Sequence, residues 1–295
     1  MDREYKRMLK KFFRNPSGLF GFALLVFFVL VALFAPFIAP PQPSNKHEPY
    51  MMPIVTWSSE PQPPSKDHPF GVCGRRDIFY GVVWGTRTAF RIGLTVTAIS
   101  TLIGLFIGSI SAYYGGWIDE ILMRITDIFL AVPFLIAAIV LTTLLGTGLD
   151  KVMIAMITFG WMGTARLIRG NILQAKEEQY VLAAKAIGVS MPGIIVKHLL
   201  PNTIFPVVIQ ASMRMGSLVI TAAILSFLGL GAPQGYSDWG AILNYSRDWI
   251  LGAQGEALKY WYTIVFPGTA MVLFVLAWNL VGDTLRDIFD PRLRI

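Results

Sequence analysis

LFGFALLVFFVLVALFAPFI, residues 19–38, carries no charged side chain across twenty positions. A helix needs about 20 mainly apolar residues to cross a bilayer, so this run reads as a spanning helix. Arg3, Lys6, Arg7, Lys10, Lys11 and Arg14 precede it. That order of charge and apolar run resembles a secretory signal, but an h-region is about 7–15 residues long. Pro36, Pro40 and Pro41 also crowd the would-be cleavage site. Further apolar runs follow at 90–109, 128–145, 152–167, 207–230 and 264–281, with 152–167 the shortest. With 54% apolar residues, 15% charged and a mean hydropathy of +0.57, the chain reads as an all-α membrane protein with six transmembrane helices.

The net charge of +7 invites a nucleic-acid reading. A basic membrane protein, however, carries its excess in cytoplasmic loops, and no nucleic-acid partner is expected. If the N-terminus is inside, segments 1–16, 114–124, 165–202 and 284–295 are inside with it and hold 15 Lys and Arg. The outside segments 39–91, 146–151 and 230–262 hold 9, most of them in one long loop where the rule is weak. The expected arrangement is multi-pass with both termini cytoplasmic. One cysteine, Cys73, excludes an internal disulfide, and no Cys/His spacing suits a metal.

The expected organisation is a basic N-terminus with the first helix (1–40), an external proline-rich loop (41–88), a five-helix core (89–283) and a cytoplasmic tail (284–295). Nine prolines between 40 and 69 forbid a regular helix there. The loop reads as an external cap with Trp57, Phe70 and Trp84 against the bundle mouth, or else as a disordered linker. Ser100, Gly104, Gly108 and Ala112 fall at intervals of four, a small-residue face for close helix contact. Pro133 and Pro267-Gly268 can bend the third and sixth spans. Trp261, Tyr262 and Trp278 suit membrane interfaces.

Residues 170–202 form an excursion longer than an antiparallel connection needs. Residues 174–187 read as an amphipathic helix, with Tyr180, Ala183, Ala184 and Ile187 on one face and Lys176, Glu177, Glu178 and Lys185 among the wet positions. Gly188 is a natural stop; Ser190 can cap a second helix with Pro192 in its first turn; Pro201-Asn202 marks the break before the fifth span. Two readings stand: a knob that docks a soluble partner, or a helix lying in the membrane surface.

The run from Tyr180 through Val181, Leu182, Ala183, Ala184, Lys185, Ala186 and Ile187 to Gly188, followed by Leu200-Pro201-Asn202, resembles the EAA coupling loop of permease subunits in binding-protein-dependent ABC importers. Further likeness to the C-type permease of oligopeptide, dipeptide and nickel importers lies in Arg14-Asn15-Pro16; His68-Pro69-Phe70-Gly71 with Gly74, Arg76 and Asp77; and Tyr114-Gly115-Gly116 with Asp119, Met123-Arg124 and Asp127. It continues in 225–231, in Gly282-Asp283 with Leu285-Arg286-Asp287, and in Asp290-Pro291-Arg292. The resemblance covers nearly the whole chain. It implies a type I ABC importer (MetI-like) permease core behind an extra N-terminal helix. It also implies a homologous second permease, two ABC ATPase subunits and an external solute-binding protein, in the plasma (inner) membrane. ATP and Mg would belong to the ATPase partners, with no cofactor in this chain. The coupling residues carried over are Glu177, Glu178, Tyr180, Leu182, Ala183, Ala184, Lys185, Ala186, Gly188 and Pro201. Leu182 stands where many relatives have the glutamate that names the loop, and Glu177 and Glu178 are the nearest carboxylates. Cys73 and Ala222 also replace acidic residues common in the family.

No Gly-Lys dipeptide occurs, hence no Walker A loop, and no hydrolase or zinc-protease constellation is present. The expected function is a non-catalytic permease for di- or oligopeptides. The alternatives are a nickel importer permease and an ion-coupled carrier, the latter calling for mid-membrane carboxylates that the spans lack. Arg214 is the one charge placed inside the fifth span. At about 2.5–3.5 kcal/mol for a central arginine, it should face water or a partner. It is expected either to line the translocation path or to snorkel to the cytoplasmic interface.

Overall fold

The computed structural model describes residues 15–251 and 259–289. The basic segment 1–14 and the tail motif at 290–292 lie outside them. Helix α1, Pro16–Ile38, opens on Asn15, whose side chain accepts from the Ser17 and Gly18 amides, with Pro16 in the first turn where its missing N–H costs nothing. An irregular segment then leads to a hairpin, β1 (Val72–Cys73) and β2 (Arg76–Asp77). Its two-residue turn places Gly74 (φ 57°) and Arg75 (φ 66°) in the left-handed region, as a type I′ turn demands.

Helix α2, Ile78–Tyr114, starts inside the stretch read as loop, so the proline-rich segment ends at 77 rather than 88. Asp77 explains why. Its Oδ1 accepts from the Tyr80 amide (3.1 Å) and its Oδ2 meets His68 Nδ1 (2.7 Å), so capping fixes the helix start. Of the three aromatics expected on the bundle mouth, Trp84 is core and Phe70 stacks on Phe266 at 4.1 Å. Trp57 instead stands 92% exposed, with the Arg75 guanidinium over its ring.

The third span is not one helix. α3 (Gly116–Leu130) and α4 (Phe134–Leu145) meet at 86°, because Pro133 has no N–H with which to continue a helix and itself stands extended, at ψ 126°. α5 (Leu149–Gly160) and α6 (Met162–Ala175) run as one span of 27 residues interrupted at Trp161, longer than the apolar run alone suggests. After α7 (Gln179–Ala186), the chain forms α8 (Met191–Gly193), a π-helical turn at Ile194–Leu199 and α9 (Leu200–Thr203). α10 (Phe205–Phe227), α11 (Trp239–Leu251) and α12 (Tyr262–Phe289) complete the described fold. Among the described residues, five helices are long and apolar enough to cross a membrane, or six crossings if the bent pair counts as one. α11 lies between the last two crossings, in a segment whose polar residues concealed it from a search for apolar runs.

Small residues set the crossings. A Cβ on Gly104 would come within 2.6 Å of Thr164 Cβ and the Trp161 carbonyl, and one on Gly108 within 2.3 Å of the Ala165 carbonyl oxygen. The face at intervals of four is therefore where α2 lies against α6. Three apolar clusters fill the bundle. One gathers Phe28, Trp84, Trp239 and Phe274 at edge-to-face spacings of 5.4–6.3 Å, Trp84 apart. A second packs Ile92, Val96, Val152, Met156, Leu218 and Leu225 around Ala222, which is fully buried. An acidic side chain in that apolar cluster would need a partner of its own. The third roots the 176–203 hairpin.

Cys73 is buried beside Ser246, and burial pushes its thiol up to about 11. With the thiolate the reactive form and an ordinary thiol near 8.5, labelling by a maleimide at pH 7.5 should be slower by roughly two orders of magnitude or more than in the unfolded chain. Stopped-flow labelling in detergent, with and without denaturant, measures this directly. Equal rates would place the thiol in solvent.

Candidate coupling surface and translocation path

Three contacts join five helix ends at one end of the bundle. Gly18 meets Thr284, Phe205 stacks on Phe289 at 4.5 Å, and Lys176 reaches the carbonyls of Ala112 (3.2 Å) and Tyr113 (2.8 Å). The 176–203 hairpin projects from this same end.

Its first helix is shorter than the sequence suggests. The stretch 174–187 breaks at 176–178, because Lys176 is drawn back to the end of α2, where its ammonium satisfies carbonyls left open by the helix terminus. Lys176 is therefore half-buried rather than wet. Glu178 becomes the N-cap of α7, and Glu177 and Glu178 are exposed in the turn before it rather than one turn back on the same helix. Within α7, Val181 and Ala184 point inward onto Ile172, Ile194 and Leu199. Tyr180, Leu182, Ala183, Lys185, Ala186, Ile187 and Gly188 are exposed. The expected shared face of Tyr180, Ala183, Ala184 and Ile187 thus divides: Ala184 is structural, and the others are surface. Pro201 is exposed in α9, and the break before α10 falls at Ile204, since a proline in a first turn is tolerated.

Gly188 ends α7 with φ 78°. Its amide donates to the Lys185 carbonyl (3.0 Å) and the Val189 amide to the Ala184 carbonyl (3.1 Å), the paired bonds of a Schellman cap. Nothing lies within 4 Å of where its Cβ would be, so the backbone conformation alone selects glycine.

Arg214, in the first half of α10, turns onto the α5–α6 span. Its Nη2 donates to the Gly160 carbonyl (2.6 Å) and its Nη1 to Thr164 Oγ1 (3.3 Å), and that hydroxyl donates to Gln210 Oε1 (3.3 Å). The interruption at Trp161 leaves a carbonyl for the guanidinium to take. Beside it lies a cavity of about 460 Å³, lined by the bend at 129–134, by Phe159 and Gly160, and by Gln210, Arg214, Ser217 and Thr221 of α10. A larger cavity of about 880 Å³ opens at the opposite end of the bundle, between Arg75 of the hairpin turn, the 229–234 loop and α11. Sequence reasoning missed the bend's part in this cavity. Pro133 was visible as a kink, but the kink's place beside Arg214 was not.

Residues 101–295 match the family described as binding-protein-dependent transport system inner membrane component, and residues 5–64 match the N-terminal TM domain of oligopeptide transport permease C. The chain belongs to the binding-protein-dependent permease family. The permease is 35% identical to the dipeptide transport system permease protein DppC of Alkalihalophilus pseudofirmus, over 99% of this chain and 90% of that one. It is 35% identical to the oligopeptide transport system permease protein OppC of Bacillus subtilis, over 98% and 90%. It is also 36% identical to the glutathione transport system permease protein GsiD of Escherichia coli, over 97% and 89%. Among solved structures, the inward-facing MetNI methionine ABC transporter aligns with a TM-score of 0.56 at 18% identity, covering 72% of this chain and 98% of that one. The fold is that of a type I ABC importer permease, and the chain is a multi-pass membrane subunit of such a transport system.

Proposed function

We propose that this permease imports di- or oligopeptides. It does so with a homologous second permease, two ABC ATPase subunits that carry ATP and Mg, and an external solute-binding protein. The charge bias of the loops supports a cytoplasmic position for both termini, and with them for the hairpin. The observation that carries the reading is the exposed, small and apolar surface of α7 formed by Tyr180, Leu182, Ala183 and Ile187, held rigidly by Val181 and Ala184 beneath it. Such a surface can seat in a cleft of a soluble partner and pass on its movement. Leu182, 49% exposed in the place of a family glutamate, makes that contact apolar rather than ionic. The peptide class follows from the relatives' names and the shared length. ATP binding would close the ATPase pair, carry α7 with it, and rock the spans to release solute into the path. The chain itself is non-catalytic in this scheme.

Proteoliposomes holding all the subunits are expected to accumulate a labelled dipeptide only with ATP and the binding protein. A photo-crosslinker at residue 183 is expected to capture an ATPase subunit. Uptake without any ATPase, or capture of the external protein from residue 183, would refute the coupling reading. Accumulation of nickel with no peptide uptake would change the solute.

A further inference from the structure

We infer that the cavity beside Arg214 is a transit site for the carboxylate of the moving solute. The inference rests on the importer reading above. Three features converge there. The third span breaks at 130–134, the fifth crossing helix presents Gln210, Arg214, Ser217 and Thr221 at intervals of four, three and four, and the α5–α6 span is interrupted at Trp161. Spacing of this kind puts the four side chains on one face of α10. Irregular backbone and a polar stripe at membrane depth are tolerated where they border a cavity, not where they meet lipid.

The charge supplies the chemistry. Arg214 is bound only by neutral oxygens, the Gly160 carbonyl and the Thr164 hydroxyl. Among the described residues no carboxylate pairs with it: Asp127 pairs with Arg166, Asp119 with Arg169, and Asp150 with Arg91. A guanidinium in a low-dielectric site without a counter-charge attracts an anion, and its planar fork matches a carboxylate. The bonds to Gly160 and Thr164 orient the fork without an ion pair, so the cation stays available. Ser217 and Thr221 spend their protons on the carbonyls of Arg214 and Ser217, leaving acceptor oxygens along the wall for an N–H of the solute. A solute must also leave, which favours one charge-assisted contact over an enclosing set. The rival occupant is a carboxylate of the second permease, held permanently.

The test uses the whole importer in proteoliposomes and one dipeptide in two forms, free acid and C-terminal amide, at saturating binding protein. The binding protein is the same in every arm, so only the change in the acid to amide ratio between variants is read. Arg214→Gln is expected to lower uptake of the acid about tenfold or more and to leave the amide within about twofold. Arg214→Lys keeps the charge but not the fork, and is expected to keep the ratio within about twofold while slowing both. Equal losses for acid and amide in Arg214→Gln would make Arg214 only a brace for the helix break and overturn the inference. So would loss of the second permease on purification of Arg214→Gln, which assigns the anion to that subunit. If Arg214→Gln does not assemble at all, Arg214→Met takes its place, and an acid to amide ratio within about twofold of the wild-type ratio in that variant overturns the inference. A wild-type importer that moves neither form removes the peptide reading, and the inference with it.

Discussion

Gly188→Pro is expected to abolish ATP-driven uptake, by a hundredfold or more, while the bundle still inserts and folds. Proline requires φ near −65°, and position 188 has φ 78°. Its ring also removes the N–H that donates to the Lys185 carbonyl at 3.0 Å. Both bonds of the cap fail together, α7 loses its fixed end, and the exposed surface at Tyr180, Leu182 and Ala183 no longer holds one orientation. The apolar root of the hairpin survives, because Ile168, Ile172 and Val207 lie in α6 and α10. Gly188→Ala is the graded control. It retains the N–H and meets no neighbour, so only the left-handed backbone cost of about 1–2 kcal/mol remains, and a partial loss is expected. Uptake at the wild-type rate by Gly188→Pro would show that α7 does not transmit force. Ala184→Trp would be a poor probe for the same purpose, since Ala184 is 4% exposed and a tryptophan there would break the hairpin from within.

The second large effect concerns stability. Gly108→Leu should prevent α2 and α6 from packing, with a loss of about 3 kcal/mol or more and a matching fall in Tm in detergent. Even a methyl group would press within 2.3 Å of the Ala165 carbonyl oxygen and of Ile168 Cγ2. The first is backbone and cannot rotate away. Gly170→Ala, in the partner helix with nothing within 4 Å of the new Cβ, is expected to leave Tm unchanged or slightly raised, as alanine favours helix. Matching Tm values for the Gly108 and Gly170 variants would mean that the two helices do not cross as described. Because α6 runs from the Arg214 contact at Thr164 to the root of α7, the crossing holds the Arg214 cavity and the exposed surface of α7 in one frame.

Much of this arrangement is local in origin and so was legible from the chain alone. The apolar runs set the crossings because a bilayer leaves no other solvent for twenty uncharged residues. Gly188 marks a helix end because only glycine takes a positive φ without strain, and Gly104 and Gly108 mark a contact because nothing larger fits one. The tertiary structure decided three other matters. It drew Lys176 back to the end of α2 and so shortened α7; it turned Ala184 inward and Ala183 outward; and it set Arg214 against the Gly160 carbonyl at a break beside the Pro133 bend. In α7 alanine and apolar side chains occupy both faces, so periodicity had no contrast from which to tell inside from outside. A carbonyl released in one helix acquires a partner only when another helix is packed beside it, and no property of either segment alone contains that meeting.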